Sequence, residues 1–316
     1  MFNLKQPLVA FLGALALMGA VAPATPRAAR GQKAPAPTAR PAPLPPDYAN
    51  VKYGAHERNV LDLWKAKSDR PTPLVIYIHG GGFRMGSKEQ VTSHAELLRE
   101  CLAAGISVAS INYRLTDVAP YPAQMLDGAR AVQYLRFRAK EFNLDPKRFA
   151  ATGGSAGAGI SLWLAFHEDL ADRRAEDPVL RESTRITCAL GMQAQSSYDP
   201  RWIKKNIGGR AHENRALQYL FGVKPEEVEG DKAAKLYEDA SPINHLTKGD
   251  PPVMLTYTGE DEPSDKPGAG IHSPKFGEIL KAKMQKLGLS CELSVGKDVV
   301  AEDQVKFFVK HLKPKG

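Results

Sequence analysis

Residues 148–157 read RFAATGGSAG, and this stretch decides the fold. Arg148–Thr152 is a short β-rich run and Ala156–Leu170 an apolar helical one, with Gly153-Gly154-Ser155-Ala156-Gly157 as the turn between them. A G-x-S-x-G sequence alone is weak, because glycine and serine are common. Set between a strand and a helix it is specific. A serine presented on so tight a turn must adopt a strained backbone, and glycines two residues before and after it relieve the crowding of neighbouring chain. The helix opening at Ala156 also brings the positive end of its dipole to the serine, where a developing oxyanion would form. The alternatives are simple close packing or a phosphate-binding loop, and no Lys-Ser/Thr pair follows as the latter requires.

Upstream, Thr72–His79 (TPLVIYIH) is a nearly continuous apolar run, as expected of a strand covered on both faces. It ends in His79-Gly80-Gly81-Gly82-Phe83. Consecutive glycines let backbone N–H groups approach a substrate oxygen and point at it, and an oxyanion needs such pre-aimed donors. Around these two motifs strand and helix alternate. Helices are expected at Val91–Ala103, Pro122–Phe142, Pro274–Leu287 and Ala301–Leu312, and strands at Ile106–Tyr113, Thr187–Ala194, Val253–Thr258 and Cys291–Val295. Such alternation implies an α/β fold, a mainly parallel sheet with helices on both faces. Asn50–Tyr53 and Val60–Trp64 suit an antiparallel edge hairpin. A charged excursion, about residues 195–250, follows a central strand at its carboxyl end and is expected to form a small cap or pocket wall, with helices near Asn214–Leu220 and Lys232–Glu238.

The chain has 316 residues, 43% hydrophobic and 25% charged, which suits one large α/β domain and excludes bulk disorder. Its net charge of +8 falls to +3 from Asp47 onward, because Lys5, Arg27, Arg30, Lys33 and Arg40 precede that point and no acidic residue does. A charge so placed gives little support to nucleic-acid binding, and none is expected. Leu8–Ala22 is an unbroken run of apolar residues and glycine, too short for a comfortable membrane span, followed by Ala22 and Ala24 at cleavage-site spacing. Residues 1–24 are therefore read as a signal peptide, with an uncleaved anchor as the alternative. Residues 25–46, dominated by Pro and Ala, read as a semi-extended linker, and 47–316 as one domain. Export to the periplasm or beyond is the expectation. Cys101, Cys188 and Cys291 are far apart and form no CxxC pair, so neither a disulfide framework nor a cysteine zinc site is expected.

HGGGF, then Asn112-Tyr113-Arg114, Tyr121-Pro122-Ala123 and GGSAG, resembles the α/β-hydrolase superfamily, and within it the hormone-sensitive-lipase-like and feruloyl-esterase-like carboxylesterases. Tyr53-Gly54, Leu61-Asp62-Leu63 and Ala240-Ser241-Pro242 fit the same group. The resemblance spans about residues 50–312 and implies Ser155 as nucleophile, with the amides of Gly81, Gly82 and Ala156 as the oxyanion hole and His79 as a structural member of its loop. It also implies an acid just after the strand that follows the cap, commonly as Asp-Pro. Here the turn reads Gly259-Glu260-Asp261-Glu262-Pro263. Alignment on the proline makes Glu262 the acid, with Asp261 as the alternative.

The family's histidine belongs in the loop after the last strand, but Gly296-Lys297-Asp298-Val299-Val300 contains none. Without a base the serine stays a weak nucleophile. Among the eight histidines, His272 is the best substitute, just ahead of a helix start at Ser273-Pro274. His245, in the excursion, is a distant second. His311 lies outside the apolar face of the last helix and is expected to be exposed. His167-Glu168 lacks the second histidine that a helical zinc site would need. The expected function is that of an exported serine carboxylesterase acting on small-molecule or carbohydrate-linked esters, such as acetyl or feruloyl groups on polysaccharides, without cofactor or metal. The rivals are a hydrolase scaffold retained for binding after loss of its histidine, and an arylformamidase or lactonase.

Overall fold

The computed structural model describes residues 44–223, 230–296 and 300–312. The expected signal peptide, most of the expected linker, and Lys297–Val299 lie outside the described residues. In chain order the strands are β1 (Tyr48–Lys52), β2 (Val60–Trp64), β3 (Thr72–Ile78), β4 (Ser107–Ile111), β5 (Leu144–Gly154), β6 (Cys188–Met192), β7 (Val253–Tyr257) and β8 (Cys291–Val295). The helices are α1 (Ala95–Ala103), α2 (Ala123–Phe137), α3 (Ala139–Phe142), α4 (Ala156–Phe166), α5 (Pro200–Asn206), α6 (Arg215–Phe221), α7 (Asp231–Ala240), α8 (Pro242–His245), α9 (Lys275–Lys286) and α10 (Ala301–Leu312). The sheet order is β1-β2-β4-β3-β5-β6-β7-β8. The β1–β2 and β2–β4 pairs are antiparallel and the rest parallel, as the alternation and the edge hairpin imply.

Side chains alternate between two cores, as the period of a strand requires. Leu74, Ile76 and Ile78 of β3 face one side with Met125 of α2, Ile160 of α4 and Phe276 of α9. Val75 and Tyr77 face the other with Leu97 of α1 and Phe308 of α10. Every residue of α4 is buried, because the helix is apolar all round and is covered on every side. It stops at Phe166, short of the expected Leu170, where His167 turns to extended backbone. Strand β5 is longer than expected. It begins at Leu144, where Thr72 of β3 pairs with it before a register irregularity. His311 is half-buried against the Phe307 ring rather than exposed. Leu44 is already tied to the domain, its carbonyl accepting the Trp64 indole N–H at 2.8 Å. Among the described residues no helix is long and apolar enough to cross a membrane.

The register positions the site. Ile78 at the end of β3 lies opposite Gly153 of β5, so the glycine loop after β3 runs beside the serine turn after β5. A Cβ on Gly153 would lie 2.1 Å from the Ile78 carbonyl oxygen, and one on Gly157 would lie 2.0 Å from the same atom. Both glycines are required by this contact. Gly154, between them, would meet nothing within 4 Å. Gly153→Ala should therefore destabilise the fold by about 1–3 kcal/mol through overpacking, while Gly154→Ala should stay within about 0.5 kcal/mol. Urea unfolding of the two variants against the parent checks the contrast.

Candidate active site

Ser155 sits at φ 50°, ψ −115°, between the last residue of β5 and the first of α4. A non-glycine residue in that region carries a strain of about 1–3 kcal/mol. Its N–H donates to the Met192 carbonyl of β6 at 2.8 Å and its carbonyl accepts the Gly159 N–H at 3.0 Å. The backbone is thereby held on both sides and the hydroxyl is thrust clear of the sheet. Ala156, as the first helical residue, has no intrahelical acceptor for its N–H.

The glycine loop is fixed from behind. The His79 ring is fully buried, stacked on Tyr113 at 4.2 Å between centroids, and its Nδ1–H donates to the Gly80 carbonyl at 2.8 Å. The Tyr113 hydroxyl donates to the His79 carbonyl at 3.0 Å. The Arg58 guanidinium binds the carbonyls of Tyr113 and Gly86 at 2.7 and 2.9 Å, bracing the loop at its far end. Burial pushes the His79 imidazole down to about 4, so it is neutral at pH 7. Gly81 and Gly82 take φ of 114° and 58°, conformations that favour glycine. Together with Ser155, Ala156 and His272 they border one cavity of about 400 Å³.

His272 lies in the connection between β7 and α9, and its Nε2 stands 2.8 Å from Ser155 Oγ. Sequence reading singled out this pair and the structure brings it together. The carboxylate behind the imidazole is different from the one expected. Asp261 Oδ2 lies 3.5 Å from His272 Nδ1 and accepts the His272 backbone N–H at 2.7 Å, while Oδ1 accepts the Gly270 N–H at 2.7 Å. Glu262 is exposed. Of the two carboxylates, the structure thus places Asp261, the alternative, behind the imidazole, and not Glu262. The two amides, both from the returning part of the same connection, turn Asp261 inward, and the residue after it consequently faces solvent. With a carboxylate on the Nδ1 side, that nitrogen carries the proton and the Nε2 lone pair faces the serine hydroxyl.

The excursion supplies the cavity wall through Asn214, Ala216 and Leu217. Gln195 and Tyr198, from the start of the same excursion, complete it with Phe83 and Ile271, and sequence reading singled out none of Gln195, Tyr198 and Ile271 individually. Gln195 is buried and donates to the Ile271 carbonyl at 2.9 Å, steadying the segment that carries His272. Tyr198 had a hidden signal in Gly159, where a Cβ would fall 1.6 Å from the phenol oxygen. His245, the second choice as base, is instead beside His167, their ring centroids 4.6 Å apart.

The BD-FAE family model matches residues 61–265, well over half of the chain. The chain belongs to the BD-FAE family of α/β-hydrolases. Esterase LipC of Mycobacterium tuberculosis is 28% identical over 213 residues, covering 67% of this chain and 50% of LipC. The chain thus spans about half the length of that relative. A truncated carbohydrate esterase from gut microbiota superposes with a TM-score of 0.65 at 20% identity, over 84% of this chain and 95% of the other. An acetyl ester-xyloside bifunctional hydrolase from Caldicellulosiruptor lactoaceticus gives 0.60 at 22% identity, over 80% and 84%. At these identities the superpositions establish the shared fold.

Burial lowers the His272 pKa below its ordinary 6.5, and the Asp261 carboxylate opposes that shift. The imidazole of this BD-FAE chain is accordingly neutral, in its proton-accepting form, at pH 7. An NMR titration of the His272 ring should show a midpoint below 6.5, and Asp261→Asn should move it lower still by removing the favourable negative charge. A midpoint above 6.5 in the parent would contradict the assigned environment.

Proposed function

We propose that this chain is an exported serine carboxylesterase that uses Ser155 as nucleophile, His272 as general base and acid, and Asp261 as the group that orients and charge-stabilises the imidazole. The observation that carries the reading is the 2.8 Å contact of Ser155 Oγ with His272 Nε2 on a turn that leaves the hydroxyl facing a cavity. Ser155 Oγ attacks the ester carbonyl as its proton passes to Nε2. The tetrahedral oxyanion is received by the N–H groups of Gly81, Gly82 and Ala156, at the positive end of α4. His272 then protonates the departing alcohol, leaving an acyl-enzyme, and the same imidazole activates the water that hydrolyses it.

The cavity's size and its wall of Phe83, Tyr198, Leu217 and Ile271 suit a small acyl or aryl group. Acetyl or feruloyl esters on polysaccharides are the proposed substrates, a reading supported by the solved carbohydrate esterase and acetyl ester-xyloside hydrolase of the same fold. The apolar run Leu8–Ala22 supports export. A scaffold retained only for binding has no need of an imidazole aimed at Ser155, so that rival loses its motive.

With p-nitrophenyl acetate, Ser155→Ala and His272→Ala should each lower kcat by about 10⁴-fold or more. Asp261→Asn should cost about 10³- to 10⁴-fold, and Glu262→Gln less than about twofold, as for an exposed group outside the machinery. A large loss in Glu262→Gln with Asp261→Asn still active would overturn the assignment of the acid.

A further inference from the structure

A second cluster of chemistry-bearing side chains lies at the other end of α4. His167 follows the last residue of that helix, Asp239 lies in the last turn of α7, and His245 ends α8. Each offers one ligand atom, and the three atoms lie within 4.8 Å of one another. His167 Nε2 is 4.0 Å from Asp239 Oδ1. The cluster is about 18 Å along α4 from Ser155, at 1.5 Å per residue, and the proposed ester chemistry makes no use of it.

What separates this cluster from a chance meeting of polar groups is that each member is already oriented by a partner. The Nδ1–H of His167 donates to the Glu168 carbonyl at 3.0 Å, which leaves Nε2 with the lone pair. The Nε2–H of His245 donates to the Asp239 carbonyl at 2.6 Å, which leaves Nδ1 with the lone pair. Asp239 Oδ2 accepts the Tyr121 hydroxyl, so Oδ1 is the oxygen on the His167 side. Trp163 stacks on the His167 ring at 3.9 Å and donates its indole N–H to the Asp239 carbonyl at 3.1 Å. Metal-binding histidines characteristically donate their second ring N–H to a carbonyl or carboxylate, which fixes the tautomer, and ligating carboxylates are hydrogen-bonded in turn.

We propose that His167, His245 and Asp239 bind a divalent ion of the zinc class, with solvent completing the coordination. Two imidazoles and one carboxylate favour such an ion over calcium or magnesium, which prefer all-oxygen sites. Zn–N and Zn–O bonds of about 2.0–2.2 Å in tetrahedral geometry put donors about 3.3–3.5 Å apart. The cluster therefore closes by roughly 1 Å on binding. The ion acts as a clasp. It ties α7 and α8 of the excursion to the carboxyl end of the helix whose amino end carries the serine turn.

The test is uptake of Zn²⁺ by the chelator-treated, dialysed full chain, followed by competition with a chromophoric chelator, and of Co²⁺ followed by its visible spectrum. One equivalent should bind, with a Co²⁺ spectrum of low coordination number. The unfolding midpoint should rise by about 5–10 °C at a hundredfold excess of Zn²⁺ over Kd. His245→Gln and Asp239→Asn should each abolish the stoichiometric uptake, and Tyr121→Phe should weaken it by about 10- to 100-fold, the usual cost of losing a hydrogen bond behind a ligand. Ser155→Ala should bind as the parent does, which keeps this result independent of the esterase reading. Circular dichroism confirms that each variant is folded before its uptake is scored. Failure of the folded parent to take up one equivalent of either ion, or uptake undiminished in His245→Gln, would overturn the proposal.

Discussion

The contact on which the rest of the structure depends is that of the Ile78 carbonyl with the backbone of Gly153 and Gly157. Built Cβ atoms there would fall 2.1 and 2.0 Å from one oxygen, so a side chain at either position must push the backbones apart. That closeness lets β3 and β5 end side by side, lets α4 settle onto the sheet, and forces Ser155 into a backbone conformation held by hydrogen bonds on both flanks. The glycine loop after β3 has no other course than past the serine. A Cβ on Gly80 would lie 2.8 Å from the Gly154 carbonyl oxygen, which shows how tightly the two turns are joined.

Asp261 and His272 are held by a different device. Both come from the single connection between β7 and α9, whereas the resemblance led us to look for the histidine after the last strand. Asp261 makes that economy workable. Its two oxygens accept the amides of Gly270 and His272, so one carboxylate shapes the loop and also stands behind the imidazole it orients. Loss of its charge should therefore disturb position as well as electrostatics. Gln195 adds a brace from the β6 side through the Ile271 carbonyl.

The fold was legible in the sequence because its decisive requirements are local. A glycine forced by a neighbouring carbonyl, a strand buried on both faces and a helix apolar all round each leave a mark within a few residues. The serine turn and the glycine loop were read correctly in place for that reason. His272 was reachable because so few histidines lie downstream of β7. The choice between Asp261 and Glu262 was not legible, since it turns on which carboxylate meets two amides returning from nine and eleven residues later. Alignment on Pro263 pointed to the exposed neighbour. The start of β5 at Leu144 was hidden because it rests on one long-range pairing with Thr72, made ahead of a register irregularity. The meeting of His167 with Asp239 and His245 was invisible for the same kind of reason: its members are dispersed along the chain, and only the docking of α7 and α8 on α4 brings them together.

Covalent capture distinguishes a nucleophilic Ser155 activated by His272 from an inert serine. The purified protein is treated with a fluorophosphonate, digested, and the modified peptide identified by mass spectrometry, with His272→Ala treated in parallel. The account predicts a single adduct on Ser155, formed at least about 100-fold more slowly when the base is removed. Ester turnover by a protein whose Ser155 stays unmodified, or an adduct on another side chain that abolishes activity, would contradict it.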